Sequence, residues 1–164
     1  GKVVQETKGQ QKTLNDTTVI DINHTDEYEE MTLKTTTEHT RAYIKIQDGC
    51  NQFCSYCIIP YARGRVRSRQ EEDIIAEVKG LVKNGYREVV LTGIHISSYG
   101  MDFDGKKNPV GLEPFDHKRL LLLMQKLNEI DGLERIRLGS LEPRIITKEF
   151  VEGIGILTGR YLKN

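Results

Sequence analysis

The three cysteines of this 164-residue chain lie within eight consecutive residues, a grouping that limits the possible folds and functions more than any other feature. Cys50, Cys54 and Cys57 are spaced C-x3-C-x2-C. Eight extended residues span roughly 26–29 Å, so the three sulfur atoms can meet at one centre only in a tight loop. Gly49, directly before the first cysteine, can supply the backbone angles that such a loop needs. Three thiolates around a four-iron cluster would leave one iron open to a small molecule.

Three other uses of these cysteines stay open at this point: a structural zinc site, a disulfide beside one free thiol, and three unrelated buried thiols. Zinc normally takes a fourth ligand, and no histidine has a convincing partner spacing among the four present: His24, His39, His95 and His117. The odd count, and the lack of an apolar signal region near Gly1, argue against a disulfide framework. Free cysteine is commonly buried. The close grouping favours the cluster.

Charge is balanced over the whole chain but not along it. Lysine plus arginine and aspartate plus glutamate each number 24, so the net charge indicates no class of partner. Residues 41–69, by contrast, contain six basic side chains and one acidic side chain, Asp48. No stretch approaches the roughly 18 apolar residues of a transmembrane helix. We therefore expect a soluble, cytoplasmic protein that does not enter a membrane.

The chain divides into a polar arm and one folded domain. Residues 1–40 are rich in threonine and lack a helical period, so little apolar surface offsets the entropy of ordering them. A short alternation at residues 19–22 predicts one edge strand in this extended polar arm. We interpret residues 1–40 as an interdomain linker or partly ordered arm and residues 41–164 as the domain.

The domain has an α/β pattern in which each strand leads to a helix. Apolar and β-branched runs predict strands at residues 43–46, 88–92 and 135–139. Helices are predicted from a Ser68–Glu71 capping box to Asn84–Gly85, over residues 117–130, and from a Thr147 cap through Val151. This order predicts a parallel sheet with β-α repeats, and three units are too few to close a barrel.

Loops that follow parallel strands share one edge of the sheet, where sites of α/β proteins lie. The cysteine loop follows the first strand, residues 92–100 follow the second, and residues 140–144 follow the third. The sequence therefore predicts that these three loops form one rim.

The spacing C-x3-C-x-aromatic-C, with Tyr56 in the aromatic position, resembles the signature of radical S-adenosylmethionine (SAM) enzymes. Residues 42–50 and 57–69 resemble the methylthiotransferase branch, and most of all the enzymes that modify threonylcarbamoyl-adenosine in tRNA. The features that point to this subgroup are Gln47-Asp48, Arg63-Gly64-x-x-Arg67-Ser68-Arg69 and Leu91-Thr92-Gly93-Ile94-His95. The alternatives are the branches that act on isopentenyl-adenosine in tRNA or on a ribosomal protein, another radical SAM enzyme, and a metal- or RNA-binding module without turnover.

This resemblance implies a fold, an activity and two cofactors. The fold is the first half of a partial (β/α)6 radical SAM barrel. The activity is the transfer of a methylthio group to C2 of an adenosine beside the anticodon of tRNA. The cofactors are one [4Fe-4S] cluster and SAM, and the cluster's ligands would be Cys50, Cys54 and Cys57.

The resemblance also implies contacts with SAM on the predicted rim. Tyr56 would border the adenine, although the same side chain could simply pack under the loop. Gly93 would let the backbone approach the amino group of SAM, or form an ordinary turn. Ser140 and Glu142 could contact the amino-acid part of SAM, while Glu142 could instead pair with a nearby arginine on the surface.

A basic segment with one aromatic residue follows the cysteine loop, and it could contact RNA phosphates or a bound carboxylate. Arginine binds both groups with two parallel hydrogen bonds, and an exposed aromatic ring can stack on an unpaired base. The candidate residues are Tyr61, Arg63, Arg65, Arg67 and Arg69. Such basic runs are also common as plain solvated turns.

In the resembled family, methylthio transfer depends on a second iron–sulfur cluster held by cysteines of an N-terminal domain. The three cysteines of this chain suffice for one cluster, so we expect this part of the protein to be inactive alone. An unpaired last strand could also pair with another chain, which leaves the oligomeric state open.

Overall fold

The structure is a computed structural model that describes residues 11–14, 17–20, 22, 28, 41–103 and 117–158. Its strands are β1 Gln11–Leu14, β2 Thr17–Ile20, β3 Arg41–Asp48, β4 Arg67–Ser68, β5 Glu88–Gly93 and β6 Arg135–Leu138. Its α-helices are α1 Ile59–Ala62, α2 Glu71–Lys83, α3 His117–Asn128 and α4 Lys148–Thr158, and 3-10 turns occur at Ile96–Ser98 and Pro143–Ile145.

A four-stranded sheet in the order β4-β3-β5-β6 forms the centre of the domain. Strands β3, β5 and β6 are parallel, and a helix follows each of them, so the predicted α/β fold with β-α repeats is confirmed. Strand β4 was not predicted. It pairs antiparallel with the end of β3, where Gln47 lies opposite Ser68 and Asp48 opposite Arg67.

Alternation along the strands separates a helix-covered face of the sheet from an open face. Ala42, Ile44 and Ile46 point to the same side of β3 and are buried in the core with Val89 and Leu91 of β5. Apolar residues of α2, α3 and α4 complete this core. The helix-covered face therefore supplies most of the apolar burial that drives folding.

The predicted capping box at the start of α2 is wrong. Helix α2 begins at Glu71 after Gln70, and no side chain caps its first turn. Ser68 belongs to β4, and its hydroxyl accepts a hydrogen bond from the backbone N–H of Gly100 at 2.8 Å. Pairing with β3 holds Ser68 away from the helix, and the acidic residues of the first turn offset the helix dipole instead.

The other helix boundaries agree more closely with the sequence. Helix α2 ends at Lys83, with Asn84 as its C-cap and Gly85 next at φ +91°, as the Asn-Gly pair predicted. Thr147 Oγ1 accepts a hydrogen bond from Phe150 N at 3.2 Å, and α4 then continues to Thr158, beyond the predicted end. None of the helices in the described residues is long and apolar enough to cross a membrane.

The described parts of the N-terminal arm include two short strands. The expected edge strand at residues 19–22 is instead β2, Thr17–Ile20, which pairs antiparallel with β1 in a separate two-stranded sheet. Further along, Tyr28 Oη donates to the carbonyl oxygen of Lys45 in β3 at 2.7 Å. The rest of the arm, most of the predicted loop after residue 103 and the last residues from 159 lie outside the described residues.

A buried carboxylate joins three strands at the amino end of the sheet. Glu88 accepts from Arg135 at 2.7 Å and Arg137 at 2.6 Å, and it lies 2.7 Å from Arg41. The hydrogen bonds from Arg135 and Arg137 and the charges of Arg137 and Arg41 together lower the pKa of Glu88 from 4.5 to about 2, against the effect of burial, which raises it.

We predict that this cluster makes folding stability depend on pH. Because the pKa of Glu88 is lower in the folded state, its contribution is complete above about pH 4.5 and is lost as the pH falls towards 2. In urea denaturation, the free energy of unfolding of wild type should decline as the pH falls through this range. In Glu88→Gln the slope of this decline should be smaller, by an amount that corresponds to at most one proton. Glu134→Gln, which changes an exposed pair with Arg87, is the control and should follow wild type. Equal pH slopes for wild type and Glu88→Gln would contradict the prediction.

Candidate functional site

The loops that follow the three parallel strands meet on one rim, as the sequence predicted. The backbone N–H of His95, after β5, donates to Gln47 Oε1 at the end of β3 at 2.8 Å. Arg144 Nη2, after β6, donates to Gln52 Oε1 in the cysteine loop at 2.8 Å. Each of these hydrogen bonds joins the region of the cysteine loop to another strand end.

The three cysteines are free thiols with different exposure. Cys50 is buried with 8% of its surface exposed, Cys57 is half-buried and Cys54 is exposed. A turn joins the last two, with Cys57 N donating to Cys54 O at 2.9 Å. Among the described residues, no three side chains of His, Cys, Asp or Glu already form a group that could hold a metal ion. The fit to a metal group therefore rests on the donor chemistry of three free thiols in one loop.

The electrostatic surroundings of Cys50 connect the three thiols. Burial raises the pKa of Cys50, and the neighbouring Cys54 and Cys57 raise it further, against a hydrogen bond from the backbone of Gln52. Cys54 and Cys57 therefore lie close enough to Cys50 to influence the ionisation of its thiol. A nearby cation would favour the thiolate form that a metal ligand requires.

The cysteine loop is held by the returning segment that leads into β4. Cys50 N donates to Gly64 O at 3.1 Å, and Val66 N donates to the side-chain oxygen of Asn51 at 3.1 Å. Gly49 adopts φ +69°, and a Cβ there would overlap the carbonyl group of Arg65. Gly49 is therefore required both for its backbone angle, as predicted, and for close approach of two chain segments.

Asp48 is the centre of a cluster of ion pairs at the start of this loop. Its carboxylate accepts from Gly49 N at 2.8 Å and from Lys45 Nζ at 2.6 Å, and Arg63 and Arg67 lie 3.4 and 3.7 Å away. Burial by itself raises the pKa of Asp48, but the hydrogen bonds from Lys45 and Gly49 and the charge of Arg63 lower it below its usual range. One carboxylate facing three cations leaves the rim positively charged.

The four arginines of the basic segment occupy different environments. Arg67 and Arg69 are buried, the first beside Asp48 and the second paired with Glu77. The guanidinium of Arg65 lies 4.3 Å from the ring centre of Phe53. Arg63 has 49% of its side chain exposed. In this conformation Arg67 and Arg69 hold the loop through carboxylates of the chain itself, and Arg63 is the one that faces solvent.

Two aromatic side chains of the loop also face solvent. Tyr56 is 92% exposed, so the alternative that it packs under the loop is wrong for this structure. Tyr61 is exposed as well and meets Phe53 edge to face, with ring centres 5.7 Å apart. Phe53 itself has φ +49°, which is rare for a residue with a side chain. The loop therefore presents aromatic surface next to the exposed Cys54.

Gly93 lies where the side chain of Gln47 leaves no room for a Cβ. A Cβ at Gly93 would lie 2.9 Å from both the backbone oxygen and Oε1 of Gln47. Nearby, His95 Nδ1 is 2.7 Å from Ser98 Oγ, and burial lowers the pKa of His95. The glycine thus has a packing reason in addition to the predicted approach of a ligand.

Ser140 and Glu142 are on the rim, as predicted from the third strand. Ser140 is exposed, and Glu142 accepts from Arg144 N at 3.2 Å and Arg144 Nε at 2.8 Å. The surface-pair alternative is therefore present for Glu142 with Arg144, whereas Arg137 binds Glu88. Such an exposed pair contributes little to stability and leaves Glu142 free to exchange partners.

Several residues that shape the site were not predicted as site residues. They are Gln47, Asn51, Gln52 and Arg144, all of which connect segments of the rim through hydrogen bonds. One signal was present in the sequence, since Gln47 is a polar residue at the end of a strand directly before a cysteine loop. Its hydrogen-bond partners are distant in sequence, so its role required the tertiary structure.

Comparison with known proteins gives matches over most of the domain. The model of the Radical SAM superfamily matches residues 44–154. The chain is 43% identical over 125 residues to the threonylcarbamoyladenosine tRNA methylthiotransferase MtaB of Bacillus subtilis, a match to 76% of this chain and 25% of that protein. It is 40% identical over 140 residues to the tRNA-2-methylthio-N(6)-dimethylallyladenosine synthase of Finegoldia magna, covering 85% of this chain and 28% of that protein. The chain spans about a quarter of the length of these curated relatives.

One solved structure with a local likeness is the radical S-adenosylmethionine methyltransferase TsrM of Kitasatospora setae, with cobalamin and a [4Fe-4S] cluster bound. The TM-score is 0.37 at 18% identity, over 73% of this chain and 28% of that one. That TM-score is too low to support a shared fold by itself.

We predict that Gly49→Ala strongly destabilises the domain. A left-handed backbone angle costs a residue with a Cβ roughly 1–2 kcal/mol, and overlap with the Arg65 carbonyl adds to this. The measurement is the free energy of unfolding in urea. Gly80→Ala is the matched control, because Gly80 lies inside α2 with open space around it, and alanine there should stabilise by about 0.5–1 kcal/mol. A Gly49→Ala protein as stable as wild type would show that the cysteine loop is not held as described.

Proposed function

The chain belongs to the Radical SAM superfamily, and on that premise we propose that it supplies the cluster- and SAM-binding part of a tRNA methylthiotransferase. The observation that carries the proposal is the position of three free thiols at the carboxyl end of the first parallel strand, joined by hydrogen bonds to the loops after the other two. The three β-α units correspond to the first half of the superfamily's partial barrel. The proposal concerns this part of a longer enzyme, since the curated relatives are about four times as long as the match.

The cofactors of the superfamily are a [4Fe-4S] cluster and SAM, and we propose Cys50, Cys54 and Cys57 as the cluster's ligands. The donor set fits, because three thiolates are suitable ligands for such a cluster and leave one iron available. When bound, the cluster supplies the electron for reductive cleavage of SAM. The residues of the chain hold and orient these groups: the segment from Gly64 to Val66 fixes the loop, and Asp48 anchors its amino end.

The SAM contacts that we propose lie around this loop. Tyr56 offers an exposed ring to the adenine, and the backbone after Gly93 offers polar groups to the amino group of SAM. Ser140 and Glu142 face the same rim, and the carboxylate of Glu142 can exchange Arg144 for the ammonium of SAM. These roles are supported by position and exposure.

For the acceptor we propose an adenosine of tRNA that carries a threonylcarbamoyl group. This choice rests on Gln47-Asp48, on the Arg63-to-Arg69 pattern and on residues 91–95, because the named relatives divide between two acceptors. The Bacillus subtilis protein is named for threonylcarbamoyladenosine and the Finegoldia magna protein for dimethylallyladenosine, at 43% and 40% identity. Modification of tRNA would take place in the cytoplasm.

The surface of the cysteine loop has the features of a contact with RNA. Tyr61 presents a face for stacking on an unpaired base, and Arg63 is exposed for a phosphate beside a rim of surplus positive charge. Arg65, Arg67 and Arg69 would support this surface through Phe53, Asp48 and Glu77. We propose the anticodon stem-loop of tRNA as the partner.

We predict that the chain, reconstituted anaerobically with iron and sulfide, binds about four irons. Electron paramagnetic resonance of the reduced sample should change when SAM is added. Cys50→Ser, Cys54→Ser and Cys57→Ser should each lose most of the iron. Methylthio transfer should not occur with this chain alone, since three cysteines supply ligands for one cluster. Tight binding of zinc in preference to iron would favour the structural metal module instead.

We also predict that Arg63 and Tyr61 contribute to RNA affinity. Binding of an anticodon stem-loop, measured by fluorescence anisotropy, should weaken several-fold in Arg63→Gln. The slope of the logarithm of the binding constant against the logarithm of salt concentration should become smaller by about one. Tyr61→Ala should cost about 1–3 kcal/mol if a base stacks on the ring. Arg87→Gln is the control, because Arg87 is also charged and exposed but lies directly before the amino end of β5. Equal affinities for Arg63→Gln, Arg87→Gln and wild type would exclude this surface as the RNA contact.

A further inference from the structure

We propose that Gln47 is a positioning residue that fixes the cysteine loop relative to the loop after β5. Its surface is 0% exposed, and its side-chain amide makes three hydrogen bonds. Nε2 donates to the carbonyl oxygens of Asp48 and Gly49, each at 2.7 Å, and Oε1 accepts from His95 N at 2.8 Å. One side chain thus joins the two residues before Cys50 to the loop that follows Gly93.

The sheet itself does not hold these two loops together. The parallel pairing of β3 and β5 ends where Gln47 lies opposite Gly93, after an irregularity in register between Lys45 and Gln47. Strand β5 ends at Gly93, whereas β3 continues for one more residue, Asp48, which pairs with Arg67 of β4 and not with β5. The Gln47 amide continues the cross-connection with hydrogen bonds that the ladder no longer supplies.

Gly93 and Gln47 are matched to each other. The Oε1 atom of Gln47 occupies the place next to the missing Cβ of Gly93, at 2.9 Å from where that Cβ would be. This packing directs the amide so that its oxygen meets the N–H of His95 and its nitrogen meets the two carbonyls. A side chain at position 93 would move the amide and break the connection.

Both amide hydrogens of Gln47 are donated, its oxygen accepts from His95 N, and the residue is fully buried, so the amide does not reach a ligand on the rim. Gln47 would act on the cofactors through the loops and not by touching them. This part of the inference rests on the proposed function, because it requires the cysteine loop to hold the cluster and the loop after β5 to face SAM. A further hydrogen bond to the cysteine loop, from Arg144 to Gln52, is exposed and easily exchanged with water.

The test uses two variants of the chain and one control. Gln47→Met keeps the approximate volume and removes all three hydrogen bonds. Gln47→Glu keeps an acceptor for His95 N but places an oxygen against the carbonyls of Asp48 and Gly49. Glu88→Gln is the control, since it disturbs a buried polar cluster at the opposite end of the same strand pair.

The first measurement is amide hydrogen exchange in the chain without metal. We expect the His95 amide to exchange at least tenfold faster in Gln47→Met, while the amides of Val89 to Leu91 in the middle of β5 keep wild-type rates. In Gln47→Glu the His95 amide should stay protected and Cys50 N should lose protection. Wild-type exchange at His95 in a folded Gln47→Met protein would overturn the proposal.

The second measurement is iron content and electron paramagnetic resonance after anaerobic reconstitution. Gln47→Met should retain several-fold less iron, and its reduced spectrum should no longer change on addition of SAM, whereas Glu88→Gln should behave as wild type. A wild-type spectral response in Gln47→Met would overturn the positioning role. If wild type itself binds no iron, the proposed function fails, and the exchange measurement still decides whether Gln47 connects the loops.

If Gln47→Met does not fold, Gly93→Ala tests the same connection with Gln47 intact, because the added Cβ displaces the amide. Faster exchange at His95 in this variant would support the proposal, and an unchanged rate would overturn it.

Discussion

The parallel pairing of β3 with β5 is the interaction on which the rest of the structure depends. It buries Ile44 and Leu91 on the helix-covered face, and the helices can pack only once this face exists. It also brings the carboxyl ends of the two strands to the same edge. Burial of apolar surface is not specific to any function, but here it positions the loops that carry the candidate site residues.

At this edge of the sheet, two glycines let other parts of the chain approach the backbone closely. Gly49 lies against the carbonyl of Arg65, and Gly93 lies against the amide of Gln47. Such contacts leave little freedom for the cysteine loop, although Cys54 and Tyr56 on its outer side remain exposed. A loop that is rigid on its inner side and open on its outer side suits a site where a cluster is held and a substrate approaches.

Charge follows the same division between inside and outside. The inner cations Arg67 and Arg69 face the carboxylates of Asp48 and Glu77, which offset part of the cost of burying their charge. Within the described residues, Arg67 Nη1 and Arg69 Nε have no hydrogen-bond partner. Arg63 retains solvent exposure while still near Asp48. The sequence pattern of alternating arginines thus combines two physical roles, of which only the outer one is available to an RNA phosphate.

Features that depend on neighbouring residues were predictable from the sequence. Strand alternation, helical stripes and the position of the cysteines after the first strand are local, so the α/β order and the shared rim could be predicted. The tertiary structure decided what depends on distant residues. It placed Ser68 in an antiparallel strand and not in a helix cap, buried Arg67 and Arg69, and joined Gln47 to His95 across 48 positions of sequence. A local pattern states which side chains are polar or apolar, but the hydrogen-bond partner of a buried polar group is fixed only when the chain has folded back on itself.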